Sequence, residues 1–299
     1  MKKIKSVTIG ISAFNEEKNI VNILKDILKQ KRKNWYLKEV LVYSDGSNDL
    51  TVEKAKSLKN KKIIVINDNK RKGKACRIQE LFKEAHGDII VMFDADVRIK
   101  SLSVIEILIN KFSQKNTMLV GGNTIPYPPN NFFQKSVYST FQVFYESRLN
   151  IKKGKNLFAC TGGCLSIRSS FAKTIKFPKI KNEDTYLYFA CVSEGFDFDF
   201  AKNAVVNYKL AASISDYLSQ VFRSNPEAVQ LSLSRHFGSL VNKEYDRGRI
   251  FYLRNILKVF KKSPIPTLFI IVVNISCRPF FKYKSNNNVR TWDVVATTK

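Results

Sequence analysis

The chain has 299 residues, 44% of them hydrophobic and 12% aromatic, enough for one large core and too apolar for a disordered binder. Its 51 Lys and Arg against 25 Asp and Glu leave a formal net charge of +26, a field that draws phosphorylated substrates, anionic lipid or nucleic acid, and that a lysine-preferring genome would equally produce. Five scattered cysteines (Cys76, Cys160, Cys164, Cys191, Cys277) and two histidines (His86, His236) argue against a disulfide framework and against a zinc site.

In chain order, residues 7–12 read as a buried strand with no signal-peptide apolar region ahead of them, so the catalytic part is expected in the cytoplasm. Residues 19–30 place Ile20, Ile23, Leu24, Ile27 and Leu28 on one face of an amphipathic helix. A strand at 40–43 ends at Ser44-Asp45-Gly46-Ser47, a helix lies near 50–58, and a third strand spans 63–66. A helix over 73–85 and a strand over 89–93 complete a β-α-β-α-β-α-β alternation, which predicts a parallel doubly wound sheet with right-handed crossovers. Residues 1–100 are thus a nucleotide-binding half by architecture. Directly after the fourth strand stands Asp94-Ala95-Asp96, at the sheet edge where ligands bind in open α/β folds. Two acids one residue apart there can face a hard cation bridging to phosphate.

The pattern then loosens. Residues 101–112 look helical, 118–120 look like a strand, and the aromatic-rich 132–149 reads as a helix. Thr161-Gly162-Gly163-Cys164 opens a turn, Glu183-Asp184 precedes a helix, and 205–208 is strand-like. Residues 243–262 carry seven basic and two acidic residues interleaved with Ile250, Phe251, Leu253, Ile256, Leu257 and Phe260, a basic amphipathic helix suited to an anionic membrane surface. Residues 263–277 are 15 uncharged residues, short of the roughly 20 that a span needs, so a dip into one leaflet or packing on the main domain is expected.

Six strand-end or loop pieces fall in one order: Ala13-Phe14-Asn15-Glu16-Glu17, Ser44-Asp45-Gly46-Ser47, Gly73-Lys74-Ala75, Asp94-Ala95-Asp96, Thr161-Gly162-Gly163-Cys164 and Asn182-Glu183-Asp184. With them the chain resembles an inverting family-2 glycosyltransferase of the GT-A fold over about residues 5–225. The resemblance implies a Rossmann-like, mostly parallel sheet flanked by helices, with a transferase domain over 1–225 divided at about residue 100 into donor-binding and acceptor halves. Residues 226–299 would then be a helical tail that attaches to the inner face of the cell membrane.

The resemblance also implies roles. Ala13, Asn15 and Glu16 would line the nucleoside pocket, and Asp45 would accept a hydrogen bond from the base, uracil by analogy. Lys74 would stand near the diphosphate, Asp94 would hold ribose or metal, and Asp96 would bind Mg²⁺ or Mn²⁺. Gly162 and Gly163 would let the backbone approach the donor sugar, and Asp184 would be the general base. Gln220 and Arg223 match a Gln-x-x-Arg-Trp signature of processive synthases, with Ser224 in place of the tryptophan, which implies one sugar per encounter and an Arg223 able to pair with diphosphate. The acceptor implied is a carbohydrate or a lipid-linked molecule, and nucleic acid is not expected.

The plain alternatives at these positions are an Asp-Gly turn, a solvated lysine in a basic run, and first-turn acids favoured by the helix dipole. Other readings of the whole chain fit less well. A nucleic-acid or polyanion binder lacks zinc-finger spacing, an aromatic RNP-like strand and an evident basic recognition helix. A nucleotidyltransferase on a similar sheet would want a Gly-rich basic loop after the first strand, where residues 12–17 are acidic and Gly-free. A silent transferase sits badly with intact Asp45, Asp96 and Asp184.

Overall fold

The computed structural model describes residues 4–180, 182–223 and 226–284, with Arg223, Pro226 and 278–284 described by their backbone alone. β1 (Lys5–Ala13), α1 (Ile20–Leu28), β2 (Trp35–Ser44), α2 (Thr51–Lys56), β3 (Ile63–Asn67), α3 (Lys74–Glu84) and β4 (Ile89–Asp94) alternate as the periodicity predicts. They are followed by α4 (Val104–Asn110), β5 (Thr117–Pro126), α5 (Phe132–Asn150), β6 (Cys164–Arg168), α6 (Ser169–Ala172), α7 (Glu183–Ser193) and β7 (Asp197–Tyr208). The last helices are α8 (Ile214–Arg223), α9 (Pro226–Phe237), α10 (Ser239–Tyr245), α11 (Arg249–Lys262) and α12 (Pro264–Lys284).

The seven strands form one sheet in the order β3-β2-β1-β4-β6-β5-β7. β1 pairs in parallel with β2 and β4, and β2 with β3, whereas β6 runs antiparallel to both β4 and β5. The register aligns the C-terminal ends: Ser12 pairs with Asp94 and Ala13 with Ser44, so the loops carrying Asn15, Asp45 and Asp96 leave one sheet edge together. Along β1, Val7, Ile9, Ile11 and Ala13 face a core cluster shared with Ile20, Ile23, Leu24 and Ile27 of α1 and Val104, Ile105, Leu108 and Ile109 of α4. On the opposite face a Cβ at Gly10 would fall 2.3 Å from Leu81 Cδ1, so glycine lets α3 lie close against the strand. Both faces are covered, which is why the strands are near-continuously apolar.

The chain divides into two compact units, one from the segments up to Ile125 and Ala159–Tyr208, the other from Pro126–Phe158 and the chain beyond Lys209. The first holds the sheet. In the second, α5 is the helix on which the C-terminal helices are built. Phe269 of α12 meets Phe132 and Phe133 at ring-centroid distances of 5.4 and 6.5 Å, Asn255 Nδ2 of α11 donates to Ser147 Oγ at 3.1 Å, and Tyr217 of α8 donates to Asn274 Oδ1 at 2.8 Å. The single amphipathic helix expected over 243–262 is two helices, α10 and α11. Gly248 takes φ +72 between them, a left-handed conformation that breaks the helix and suits glycine. Among the described residues no helix is long and apolar enough to cross a membrane.

Candidate active site

The loop after β1 is stitched to the loop after β2. Asn15, at φ +52, donates its N–H to Ser47 Oγ at 3.1 Å, and its Oδ1 accepts from the Asn48 N–H at 3.0 Å. The Glu16 N–H donates to Thr51 Oγ1 at 2.7 Å, while its buried carboxylate accepts from Asn19 Nδ2 at 2.9 Å. Ala13 is buried at the end of β1. Phe14 lies under the Arg71 guanidinium, 3.1 Å from its ring centroid.

Asp45 is buried, and Oδ1 accepts from the backbone N–H groups of Lys72 at 2.8 Å and Gly73 at 3.0 Å. It also accepts from Arg77 Nε at 3.1 Å. Arg77 is fully buried on α3 and also engages Asp68 and, at 2.9 Å, Glu80. Burial works against its charge, but these carboxylates outweigh it and hold Arg77 above the ordinary arginine range. Asp45 therefore fixes the 70–73 loop. Sequence reading missed Arg77. The available signal was an arginine one turn after Lys74 on a face continued by Ile78 and Leu81, where a long cation needs a buried anionic partner.

Lys74 opens α3 and is not a solvated member of a basic run. Its Nζ lies 2.7 Å from Asp94 Oδ1 and 2.7 Å from Glu183 Oε1. Desolvation opposes the ammonium, yet these two carboxylates hold it well above the usual lysine range. Glu183 and Asp184 form the first turn of α7, the end of a helix that favours negative charge. Asp184 Oδ2 accepts the Gly162 N–H at 2.9 Å, and Oδ1 accepts the Thr185 N–H at 2.7 Å. A Cβ on Gly162 would lie 2.9 Å from Lys74 Nζ, and one on Gly163 would lie 2.9 Å from Thr124 Cγ2, so the turn packs on the site as a bare backbone. Ser12, Lys74, Asp94, Gly162, Glu183 and Asp184 line one cleft.

Asp96 stands one turn beyond β4. Burial first, then the neighbouring carboxylates of Asp94 and Glu16, push its pKa up to about 7 against the opposing pull of Lys74. Asp94, Asp96 and Glu16 thus repel one another, while the nearby Lys74 is already engaged by Asp94 and Glu183. Among the described residues no group of three or more His, Cys, Asp or Glu converges on one point as a ready cage. One or two carboxylates, completed by substrate phosphates and water, are nevertheless the usual way Mg²⁺-like ions are held, and the anionic surplus at Asp96 fits such an ion. Burial pushes the Cys160 and Cys164 thiols up, so neither is an ionised nucleophile; Cys160 instead donates to the Asp184 carbonyl at 3.2 Å. Arg223 closes α8, and its side chain, like all of Ser224, lies outside the described residues.

An α/β sheet with acids, a lysine and a Gly-Gly turn at one edge is the architecture of GT-A glycosyltransferases. A mannosyltransferase from Pyrobaculum calidifontis, solved with GDP-mannose and Mn²⁺, superposes with a TM-score of 0.60 at 13% identity over 96% of this chain and 84% of that one. Glucosyl-3-phosphoglycerate synthase from Mycobacterium tuberculosis, solved with Mn²⁺, UDP and phosphoglyceric acid, gives 0.55 at 14% identity over 76% of this chain and 78% of the other. The profile of glycosyl transferase family 2 matches residues 8–176, more than half of the sequence, and the chain belongs to that family.

Curated relatives align over a shorter stretch. Undecaprenyl-phosphate 4-deoxy-4-formamido-L-arabinose transferase of Pectobacterium atrosepticum is 33% identical over 98 residues, 32% of this chain and 30% of that protein. Dolichol-phosphate mannosyltransferase of Pyrococcus furiosus is 36% identical over 93 residues, 31% of this chain and 26% of that protein. The alignments thus span less than a third of the length of these two relatives.

Proposed function

We propose that this protein transfers a sugar from a nucleoside diphosphate donor, with uridine as the nucleoside, to an acceptor hydroxyl with inversion at the anomeric carbon. The observation that carries the reading is the chain of contacts joining the strand-end acid to the candidate base: Asp94 to Lys74, Lys74 to Glu183, and Asp184 to the Gly162 N–H. It brings donor-side charge and a carboxylate at a helix N-terminus to one cleft. Residues 1–100 would hold the donor, with Ala13, Asn15, Glu16 and Asp45 around the nucleoside. Residues 101–225 would carry the base and meet the acceptor.

In the reaction, the acceptor oxygen attacks the anomeric carbon from the face opposite the diphosphate. Asp184 takes the acceptor proton as the new bond forms, and the nucleoside diphosphate departs with the electrons of the broken carbon–oxygen bond. Gly162 holds the base carboxylate in place, and Lys74 keeps Asp94 and Glu183 from repelling each other across the cleft. Asp96, with Asp94, would hold Mg²⁺ or Mn²⁺, which neutralises charge on the leaving diphosphate when bound. The Mn²⁺ bound in the two solved structures of the same fold supports that assignment. Ser224, in place of a stacking tryptophan, favours one sugar per encounter.

The names of the two curated relatives favour a polyprenyl phosphate carrier as the acceptor, which would be met at a membrane surface. That gives a second form of the acceptor, a lipid phosphate whose oxygen is already ionised. The test is calorimetric binding of UDP, GDP, CDP and ADP with and without Mn²⁺ to wild type and Asp96→Ala, followed by turnover of Asp184→Asn. Mn²⁺-dependent UDP binding weakened at least tenfold in Asp96→Ala is expected. Asp184→Asn should lower kcat by about 10²–10⁴ with donor affinity unchanged for a hydroxyl acceptor. A much smaller drop with polyprenyl phosphate would assign the phosphate acceptor. Failure of the folded protein to bind any nucleotide would overturn the proposal.

A further inference from the structure

Among the described residues, twelve of the seventeen large apolar side chains left exposed lie in the helical unit, between Phe132 and Ile275. Eight of them form two matching stripes. On α11 these are Ile250, Leu253, Leu257 and Phe260, from 83% exposed at Ile250 to 37% at Phe260. On α12 they are Ile265, Leu268, Val272 and Ile275, all more than half exposed. Both sets have the spacing i, i+3, i+7, i+10, which keeps four side chains on one helical face. The other faces are already used: Asn255 and Val259 of α11 and Thr267 and Ile270 of α12 are buried. Asn255 bonds α5, and Phe269 packs on it.

Charge decides what covers the stripes. From Arg247 to Cys277 the sequence has six basic residues and no acidic one. Two of the six are engaged within the unit, Lys258 with Glu146 at 2.7 Å and Arg247 with Glu244 at 3.2 Å. Arg249, Arg254, Lys261 and Lys262 are exposed. At about 100° per residue, Arg254 and Lys261 fall on the shoulder of the α11 stripe. A second copy of this chain would bring two such cation sets together. An anionic bilayer accepts both features at once, lysine and arginine at the head groups and the apolar stripe just beneath.

We propose that α11 and α12 together lie in the plane of an anionic lipid surface, burying their eight exposed apolar side chains in one leaflet without spanning it. This deepens the membrane reading above and is independent of the chemistry at Asp184. The test is sedimentation of the full chain with vesicles of phosphatidylglycerol and phosphatidylcholine, with pure phosphatidylcholine as the control. Three paired variants are compared with wild type: Leu253→Ser with Leu257→Ser, Leu268→Ser with Val272→Ser, and Arg254→Gln with Lys261→Gln. Unchanged circular dichroism and an unchanged thermal unfolding midpoint would show that each variant folds.

Wild type should sediment with the anionic vesicles and only weakly with the neutral ones. Each pair should lower the partition by about tenfold or more. Equal binding to neutral vesicles, or none by the folded wild type, would overturn the proposal. An effect confined to one helix would overturn the two-helix surface. Concentration-dependent self-association, lost in the same variants, would assign the face to a second copy instead.

Discussion

Arg77 shows how much of this site rests on one side chain that touches neither sugar nor base in the proposed reaction. Its guanidinium joins Asp45, Asp68 and Glu80 from a fully buried position. Removing one partner of a buried pair leaves the other charge uncompensated. Arg77→Met is therefore expected to cost about 3–5 kcal/mol in urea unfolding, while an exposed change such as Lys61→Met should lie within about 0.5 kcal/mol. Asp96 makes a prediction about pH. Its pKa is raised to about 7, so the folded chain holds a proton there that the unfolded chain has lost, and its contribution to stability falls as pH rises toward 7. Above 7 the carboxylate is ionised and available to a cation. Mn²⁺ should raise Tm more at pH 8 than at pH 6, and Asp96→Asn should abolish that difference. A shift equal at both pH values would place the cation elsewhere.

At the scale of elements, two helix N-termini and two glycine contacts set the geometry. α3 delivers Lys74 and Arg77 one turn apart, and α7 delivers Glu183 and Asp184 in its first turn. Lys74 then ties the start of α3 to both the end of β4 and the start of α7. On β5, a Cβ at Gly121 would fall 2.3 Å from the Ala159 carbonyl oxygen, a backbone atom that cannot rotate away. On β1, the Cβ of Gly10→Ala would meet the Leu81 side chain, which has other rotamers. Gly121→Ala should thus destabilise by about 1–3 kcal/mol in thermal or urea unfolding, and more than Gly10→Ala does. The reverse order would mean that the segment at Ala159 yields more readily than α3.

For the molecule as a whole, the +26 charge is informative only through its distribution. In the sheet-bearing unit, Lys72, Lys74 and Arg77 are largely spent on Asp45, Asp68, Glu80, Asp94 and Glu183. In the helical unit, exposed cations stand beside exposed apolar stripes. Screening separates the two settings, since the Debye length shrinks from about 10 Å at 0.1 M salt to about 3 Å at 1 M. Raising NaCl across that range should weaken vesicle binding several-fold in sedimentation while leaving the unfolding midpoint, carried chiefly by the apolar core, nearly unchanged. Parallel losses of both would show that the two sets of charges are not separate.

The sequence by itself determined the alternation of strands and helices through β4 and the loops that carry Asn15, Asp45 and Asp96. It also marked the amphipathic character of α11. Each is written in spacings of two to four residues, the range over which a strand or helix repeats. Tertiary structure decided that β6 enters antiparallel, that Lys74 closes on Glu183 more than a hundred positions away, that Arg77 needs Asp45, and that α11 and α12 turn one face to α5 and leave the other exposed. Those facts depend on which distant segments meet, and a local pattern of apolar and charged residues does not say which buried anion a given cation will find.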